Sequence, residues 1–162
     1  MKEMPIKLDI PGDKVYEIKH IVFDMNGTLA TGGVISDTTA ALLKELAQHA
    51  TLHIITADTH GTAPLIEKRL EGVAKVKVVS GSQTTEDKKQ FIEELGKVNT
   101  IAVGNGANDV RMFRKAAIAI GIIGGEGAYA ALLTDADIVV TAIDDALQLL
   151  LEPNRMVATL RR

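Results

Sequence analysis

The chain has 162 residues, 18 lysines and arginines against 21 aspartates and glutamates, a formal net charge of −3, and 46% hydrophobic but only 3% aromatic residues. That length makes one domain burying roughly 70% of its unfolded surface. The acidic balance and the lack of Trp argue against both a phosphate-backbone binder and a base-stacking platform, so no nucleic-acid partner is expected. There is no cysteine, which excludes disulfides, thiolate metal sites and cysteine nucleophiles. The first residues lack an apolar signal core and no apolar run reaches the ~18 residues of a membrane helix, so the expectation is a cytoplasmic protein with no membrane partner.

In chain order, Ile6-Lys7-Leu8-Asp9-Ile10, the turn Pro11-Gly12-Asp13 and Val15-Tyr16-Glu17-Ile18 alternate apolar and polar residues, which predicts an N-terminal β-hairpin. Short apolar runs then end in small or polar residues: Ile21-Val22-Phe23 at Asp24, Leu52-His53-Ile54-Ile55 at Thr56, Val76-Lys77-Val78-Val79 at Ser80, and Ile101-Ala102-Val103 at Gly104. Further runs lie at residues 117–120 and 138–140. Such runs read as buried parallel strands, and the stretches between them have helical spacing. In residues 38–49 the apolar set is Ala41, Leu42, Leu43 and Leu46; in residues 84–96 it is Phe91, Ile92 and Leu95, with Thr84 or Thr85 as cap and Gly96 as stop. Gly32-Gly33 predicts a second, small hairpin. Residues 121–127 are glycine-rich but lack GxGxxG spacing, so dinucleotide binding is not expected. The pattern is α/β: a three-layer, Rossmann-like, doubly wound parallel sheet preceded by a hairpin, with its ligand site at the carboxyl ends of the strands.

The residues with chemistry sit at those ends. The first strand delivers Asp24-Met25-Asn26-Gly27-Thr28, a carboxylate followed by a turn with N–H groups and a hydroxyl, able to serve as nucleophile beside an anion nest. Alone, the string is an ordinary strand-terminating turn. Three later features reweight it. Thr56-Ala57-Asp58 follows the second strand and precedes a helix whose N-terminus suits an anion. Lys88 in Glu86-Asp87-Lys88 is a cation able to neutralise phosphate and carboxylate together. Gly104-Asn105-Gly106-Ala107-Asn108-Asp109 carries oxygen ligands suited to a hard cation.

In this order the motifs resemble those of the haloacid dehalogenase superfamily of phosphohydrolases, and within it the catalytic portion of P-type ATPases, over residues 20–150. DMNGT at 24–28, Thr56, Lys88 and GNGAND at 104–109 carry the resemblance, as do ITADTHGTA and EDK. It implies that Asp24 forms an aspartyl-phosphate and ligates Mg²⁺, that Asn26 gives the metal its carbonyl, and that Gly27, Thr28, Thr56 and Ala57 bind the phosphoryl group. It also implies that Lys88 pairs with Asp24 and phosphate, that Asn108 bonds phosphate, and that Asn105 and Asp109 complete the metal site. The partner implied is a phosphorylated substrate.

Two departures bear on rate. Asn26 stands where the superfamily's phosphatases carry a second Asp, and it cannot transfer protons, so slow turnover is expected. Asn105 stands where an Asp ligand is usual. The alternatives are therefore a non-catalytic or regulatory domain binding Mg²⁺ or phosphate, or a phosphotransferase with a long-lived phosphoenzyme. The intervals from Asp24 to Thr56 and from Thr56 to Lys88 each hold one helix and short loops, so neither a cap nor a nucleotide-binding domain fits, and ion pumping is excluded. The chain is read as one domain: hairpin 1–20, core 21–150 and tail 151–162. The Gly32-Gly33 hairpin and residues 154–162 are candidates for covering the site, directly or by homo-oligomerisation; otherwise the tail is a frayed basic end. His53 reads as structural, His20 and His49 as surface. His60 and Asp58 are candidates for substrate contact, Asp58 equally for a helix cap. Lys89 competes with Lys88 for the cationic role, and the match to the EDK string favours Lys88. Asp135, Asp137, Asp144 and Asp145 read as turn and cap residues.

Overall fold

The computed structural model describes residues 5–58, 61–79 and 83–162. His60 and Ser80 lie outside them. Strands β1 (Ile6–Asp9) and β2 (Val15–Ile18) pair antiparallel as the expected hairpin. The main sheet holds β3 (His20–Asp24), β4 (Thr51–Thr56), β5 (Ala74–Val78), β6 (Thr100–Gly104), β7 (Ile118–Ile122) and β8 (Ile138–Val140). All are parallel, in the order β5-β4-β3-β6-β7-β8. The order reverses direction at β3, between β4 and β6, so the carboxyl ends of these three strands flank the crevice where doubly wound sheets bind ligands.

The helices are α1 (Asp37–Leu46), α2 (Ala63–Arg69), α3 (Thr84–Leu95), α4 (Val110–Lys115), α5 (Ile143–Leu151) and α6 (Pro153–Leu160). Alternate residues of one strand serve opposite faces, as the pleat demands. Ile21 and Phe23 of β3 join a core with Leu43 and Leu46 of α1, Ile66 of α2, Leu147 and Leu150 of α5, Met156 of α6 and the hairpin's Leu8 and Ile18. Val22 joins the other core, with Ile92 of α3 and with Met112 and Phe113 of α4. Between β3 and β4 the chain holds only α1 and a short bridged loop, with no inserted domain. Among the described residues, no helix is long and apolar enough to cross a membrane.

Several local expectations change. Ala41 is exposed and Leu42 only half-buried, because the face of α1 that meets the sheet is set by Thr39, Leu43 and Leu46. Thr84 is the first residue of α3, buried, while Gln83 holds the cap position without a side-chain bond. Gly96 does end that helix, at φ 111°. Gly32 and Gly33 have φ of 61° and 79° and join Thr31 to Val34 through two backbone hydrogen bonds, a turn that needs positive φ at both central residues. The tail is neither frayed nor over the site. Helix α6 buries Met156, and Arg162 donates its N–H to Pro11 O while its guanidinium stands 3.5 Å from Asp13, so the tail docks on the hairpin turn of its own chain. His20 and His49 are half-buried rather than surface residues.

His53 is 5% exposed, accepts or donates a ring hydrogen bond with His20 at 3.1 Å and meets Phe91 edge-on. Burial, then His20 and Lys75, lower its pKa to about 4. The folded value lies below the unfolded one, so His53 favours folding above pH 6.5 and opposes it progressively as pH falls toward 4. Urea unfolding should show the wild type losing about 2 kcal/mol more than His53→Leu between pH 7 and pH 4. Parallel losses would remove His53 from the account.

Candidate active site

Hydrophobic strand residues carry Asp24, Thr56 and Asn105 to the same end of the sheet, 8%, 1% and 9% exposed. Lys88 arrives from α3, one turn into the helix and fully buried. Its ammonium donates to Asp24 Oδ1 at 3.0 Å, Asp109 Oδ1 at 2.9 Å and Asn108 Oδ1 at 3.0 Å, which uses all three of its donors. Lys89 points away, paired with Glu86 and Glu93 on the helix surface. Asp109 spends its second oxygen on the N–H groups of Asn105 and Gly106, at 3.2 and 3.0 Å. Gly104 makes this possible: a Cβ there would lie 2.5 Å from Asp109 Oδ2.

Two carboxylates share one ammonium in a buried place, and their charges do not balance. Burial first, then Asp109, push the Asp24 carboxyl well above the usual carboxylate range, against the pull of Lys88. For Lys88 burial acts downward, but the two carboxylates outweigh it and hold the ammonium above its ordinary value. A second positive charge beside Asp24 would relieve the excess.

The turn after β3 differs from the open nest expected. Gly27 N–H bonds Ala30 O at 2.7 Å and Thr28 N–H bonds Met25 O at 3.3 Å, so neither amide is free. The Thr28 hydroxyl donates to Asn105 Oδ1 at 3.2 Å, and Asn105 Nδ2 donates to Gly127 O at 3.1 Å. Gly27, at φ 78°, admits that amide where a Cβ would lie 2.3 Å from Asn105 Nδ2. Thr56 Oγ1 accepts from Asp58 N–H at 2.9 Å, and its own proton remains to donate. Asp58, at φ 54°, takes the cap role: its Oδ1 accepts from Ala63 N–H at the start of α2. Among the described residues, two buried side-chain atoms lack a hydrogen-bond partner, Asn26 Oδ1 and Thr62 Oγ1.

Asp24, Asn26, Thr56, Ala57, Asn105 and Asn108 line an open cleft of about 350 Å³. A larger cleft of about 680 Å³ lies at the amino ends of the strands, among Lys7, His49, Leu150 and Arg155, away from the groups described above. Of the remaining acids, Asp144 accepts from Thr39 Oγ1, Asp137 from Ala119 N–H, Asp135 pairs with Arg114, and Asp145 lies in the first turn of α5. The loop at residues 123–129 reaches the site through Gly127, which the sequence did not reveal; its only signal was glycine density directly after a strand.

No known protein-family profile matches the chain. An uncharacterized protein of Methanocaldococcus jannaschii is 46% identical over 78 residues, 46% of this chain and 84% of that protein. The phospholipid-transporting ATPase dnf2 of Schizosaccharomyces pombe is 41% identical over 71 residues, and a probable phospholipid-transporting ATPase of Homo sapiens 30% over 121. The matches span 44% and 72% of this chain but only 5% and 10% of those proteins. In fold, the chain is similar to 3-deoxy-D-manno-octulosonate 8-phosphate phosphatase of Moraxella catarrhalis in complex with magnesium, phosphate and KDO, with TM-score 0.66 and 18% identity, covering 89% of this chain and 94% of that one. The cobalt-bound form of the corresponding Haemophilus influenzae phosphatase gives TM-score 0.69 at 12% identity, covering 90% and 94%. A phospho-aspartyl intermediate analogue of phosphoserine phosphatase gives 0.65 at 16%, covering 81% and 98%.

Lys88→Met leaves two buried carboxylates without their cation and should cost about 3 to 5 kcal/mol in urea unfolding. Asp24→Asn keeps an acceptor and removes the excess charge, so its stability should equal or exceed the wild type's; a loss as large as that of Lys88→Met would contradict the charge imbalance. At 46% identity over 84% of that protein, the chain belongs to one family with the Methanocaldococcus jannaschii protein, and it shares the fold of the phosphatases above.

Proposed function

We propose that the protein is a Mg²⁺-dependent phosphohydrolase that works through an aspartyl-phosphate on Asp24. The observation that carries the reading is the Lys88 ammonium joining Asp24 to Asp109 and Asn108 beside an open cleft. Phosphoryl transfer needs a nucleophile in line and cations over the equatorial oxygens, and this arrangement supplies the nucleophile and one cation. Structures of like fold with magnesium and phosphate, with cobalt, and with a phospho-aspartyl analogue support it.

The donor set suits a hard divalent cation: the Asp24 carboxylate, the Asn26 carbonyl and the Asn105 amide oxygen are all oxygens, and the partnerless Asn26 Oδ1 can accept from a metal-bound water. Among the described residues, no three His, Cys, Asp or Glu side chains cluster, so the ion would keep several waters. Asp109, with both oxygens engaged, would act at one remove, by holding Lys88 and the Asn105 backbone. When bound, Mg²⁺ supplies the charge that keeps Asp24 ionised and neutralises phosphoryl oxygens.

An Asp24 carboxylate oxygen attacks phosphorus, the P–O ester bond breaks, and the electron pair leaves on the ester oxygen, which takes a proton from water. Thr56 donates its hydroxyl hydrogen and Asn108 its amide hydrogen to the phosphoryl oxygens, while Lys88 and Thr28 reach them by exchanging their bonds to Asn108 Oδ1 and Asn105 Oδ1. Water then attacks the aspartyl-phosphate, the bond from Asp24 to phosphorus breaks, the attacking water's proton passes to solvent and so balances the one taken in the first step, and inorganic phosphate departs. At residue 26 an amide accepts a hydrogen bond from the attacking water but takes no proton, so hydrolysis of the phosphoenzyme is the slow step. The same feature favours the second reading, a domain whose output is the phosphoenzyme itself. Among the described residues none closes the cleft, and the substrate is a phosphate monoester with room to project.

Hydrolysis of an aryl phosphate with Mg²⁺ should be abolished in Asp24→Asn, and Asn26→Asp should raise turnover on the order of 10²-fold. Acid quenching after exposure to labelled acetyl phosphate should trap label on the wild type and not on Asp24→Asn. Equal inactivity of both proteins, with no label trapped, would defeat the reading.

A further inference from the structure

The glycine-rich segment at residues 121–127 has no part in the chemistry above, yet it is joined to it. After β7 the chain turns at residues 123–129, where Gly124 and Gly127 form a β-bridge. Gly125 packs where a Cβ would be 3.3 Å from the Thr31 methyl, Glu126 accepts from Gly32 N–H at 3.2 Å, and Tyr129 N–H donates to Asn105 O at 2.8 Å. The loop therefore lies against the turn that follows the nucleophile. Among the described residues, the side chain that links it to the chemical groups themselves is Asn105, whose Nδ2 donates to Gly127 O.

The orientation of that amide is fixed by its partners. Gly127 O can only accept, so Nδ2 must face it, and Oδ1 must then face the Thr28 hydroxyl. A carboxylate at the same position would set an oxygen against the Gly127 carbonyl, with no proton between them. A metal ligand of higher charge and a tethered loop are thus alternatives at residue 105.

We propose that Asn105 is a positioning residue that trades metal-ligand charge for a tether: its amide binds the 123–129 loop to the nucleophile turn, and the loop in return aims Oδ1 and the Thr28 hydroxyl. The loop is held by residue 105, and a weaker hold on the cation than a carboxylate would give is the consequence. The part concerning Mg²⁺ rests on the phosphohydrolase reading; the tether does not.

Hydrogen exchange on the full chain, without metal or substrate, separates the two. The amides of Gly127, bonded to Gly124 O, and Tyr129, bonded to Asn105 O, are the reporters. Asn105→Asp should speed exchange at both by about tenfold, the effect of one lost hydrogen bond, while Thr28→Val, which leaves the Gly127 bond in place, should leave both at the wild-type rate. Asn105→Ala, which removes the donor without adding charge, should match Asn105→Asp and serves if the latter does not fold. Calorimetry with MgCl₂ alone should show Asn105→Asp binding the ion at least tenfold more tightly than wild type. Wild-type exchange in both residue-105 variants would overturn the tether, and faster exchange without tighter Mg²⁺ binding would overturn the trade while leaving the tether and the phosphohydrolase reading standing.

Discussion

Much of this molecule is arranged around one buried cation. Lys88 has no exposed surface and gives its three donors to Asp24, Asp109 and Asn108. A buried ammonium is tolerated only where carboxylates repay its lost hydration, and buried carboxylates only where a cation does the same for them. Helix α3 must therefore start at a fixed height beside β3 and β6. The 3₁₀ turn at Ala107–Asp109 must also bring Asp109 back under the end of β6, which requires glycine at 104. One ionic contact thus ties together three segments distant in sequence.

The same contact leaves the site unfinished. Two carboxylates on one lysine leave an excess of negative charge, and burial first, then the charge of Asp109, lift Asp24 above the usual carboxylate range. That is a poor resting state for a nucleophile and a good one for attracting a hard cation and the phosphate that follows it. The electrostatic imbalance links the apo geometry to the proposed chemistry, and it explains why the rest of the cleft offers neutral oxygens and hydroxyls. Asn26 and Asn105 belong to this logic from opposite sides. Each offers a neutral amide: on the proposed function Asn26 would face the attacking water, and Asn105 holds a loop through Gly127 O.

The sheet was legible in the sequence because short apolar runs ending in polar residues have one reading when helices alternate with them; all six predicted core strands and the N-terminal hairpin are present. What was misread was local. Ala41 has helical spacing but faces solvent, and the tail reads as loose until Arg162 is seen against Pro11 and Asp13. The turn after Asp24 reads as a nest of free amides, yet it closes on itself through Ala30 and Met25.

By itself the sequence determined the order of chemical groups and their placement at strand ends, because strand termini are marked by residue type and the motifs are contiguous. Tertiary structure alone decided that Lys88 also reaches Asp109 and Asn108, that Asp109 spends both oxygens internally, and that the Asn105 amide faces Gly127. Those choices depend on helix rotation, on where a loop returns, and on which donor meets which acceptor across segments distant in the chain. No spacing along one strand of sequence encodes a direction in space, and hydrogen bonds are made by direction.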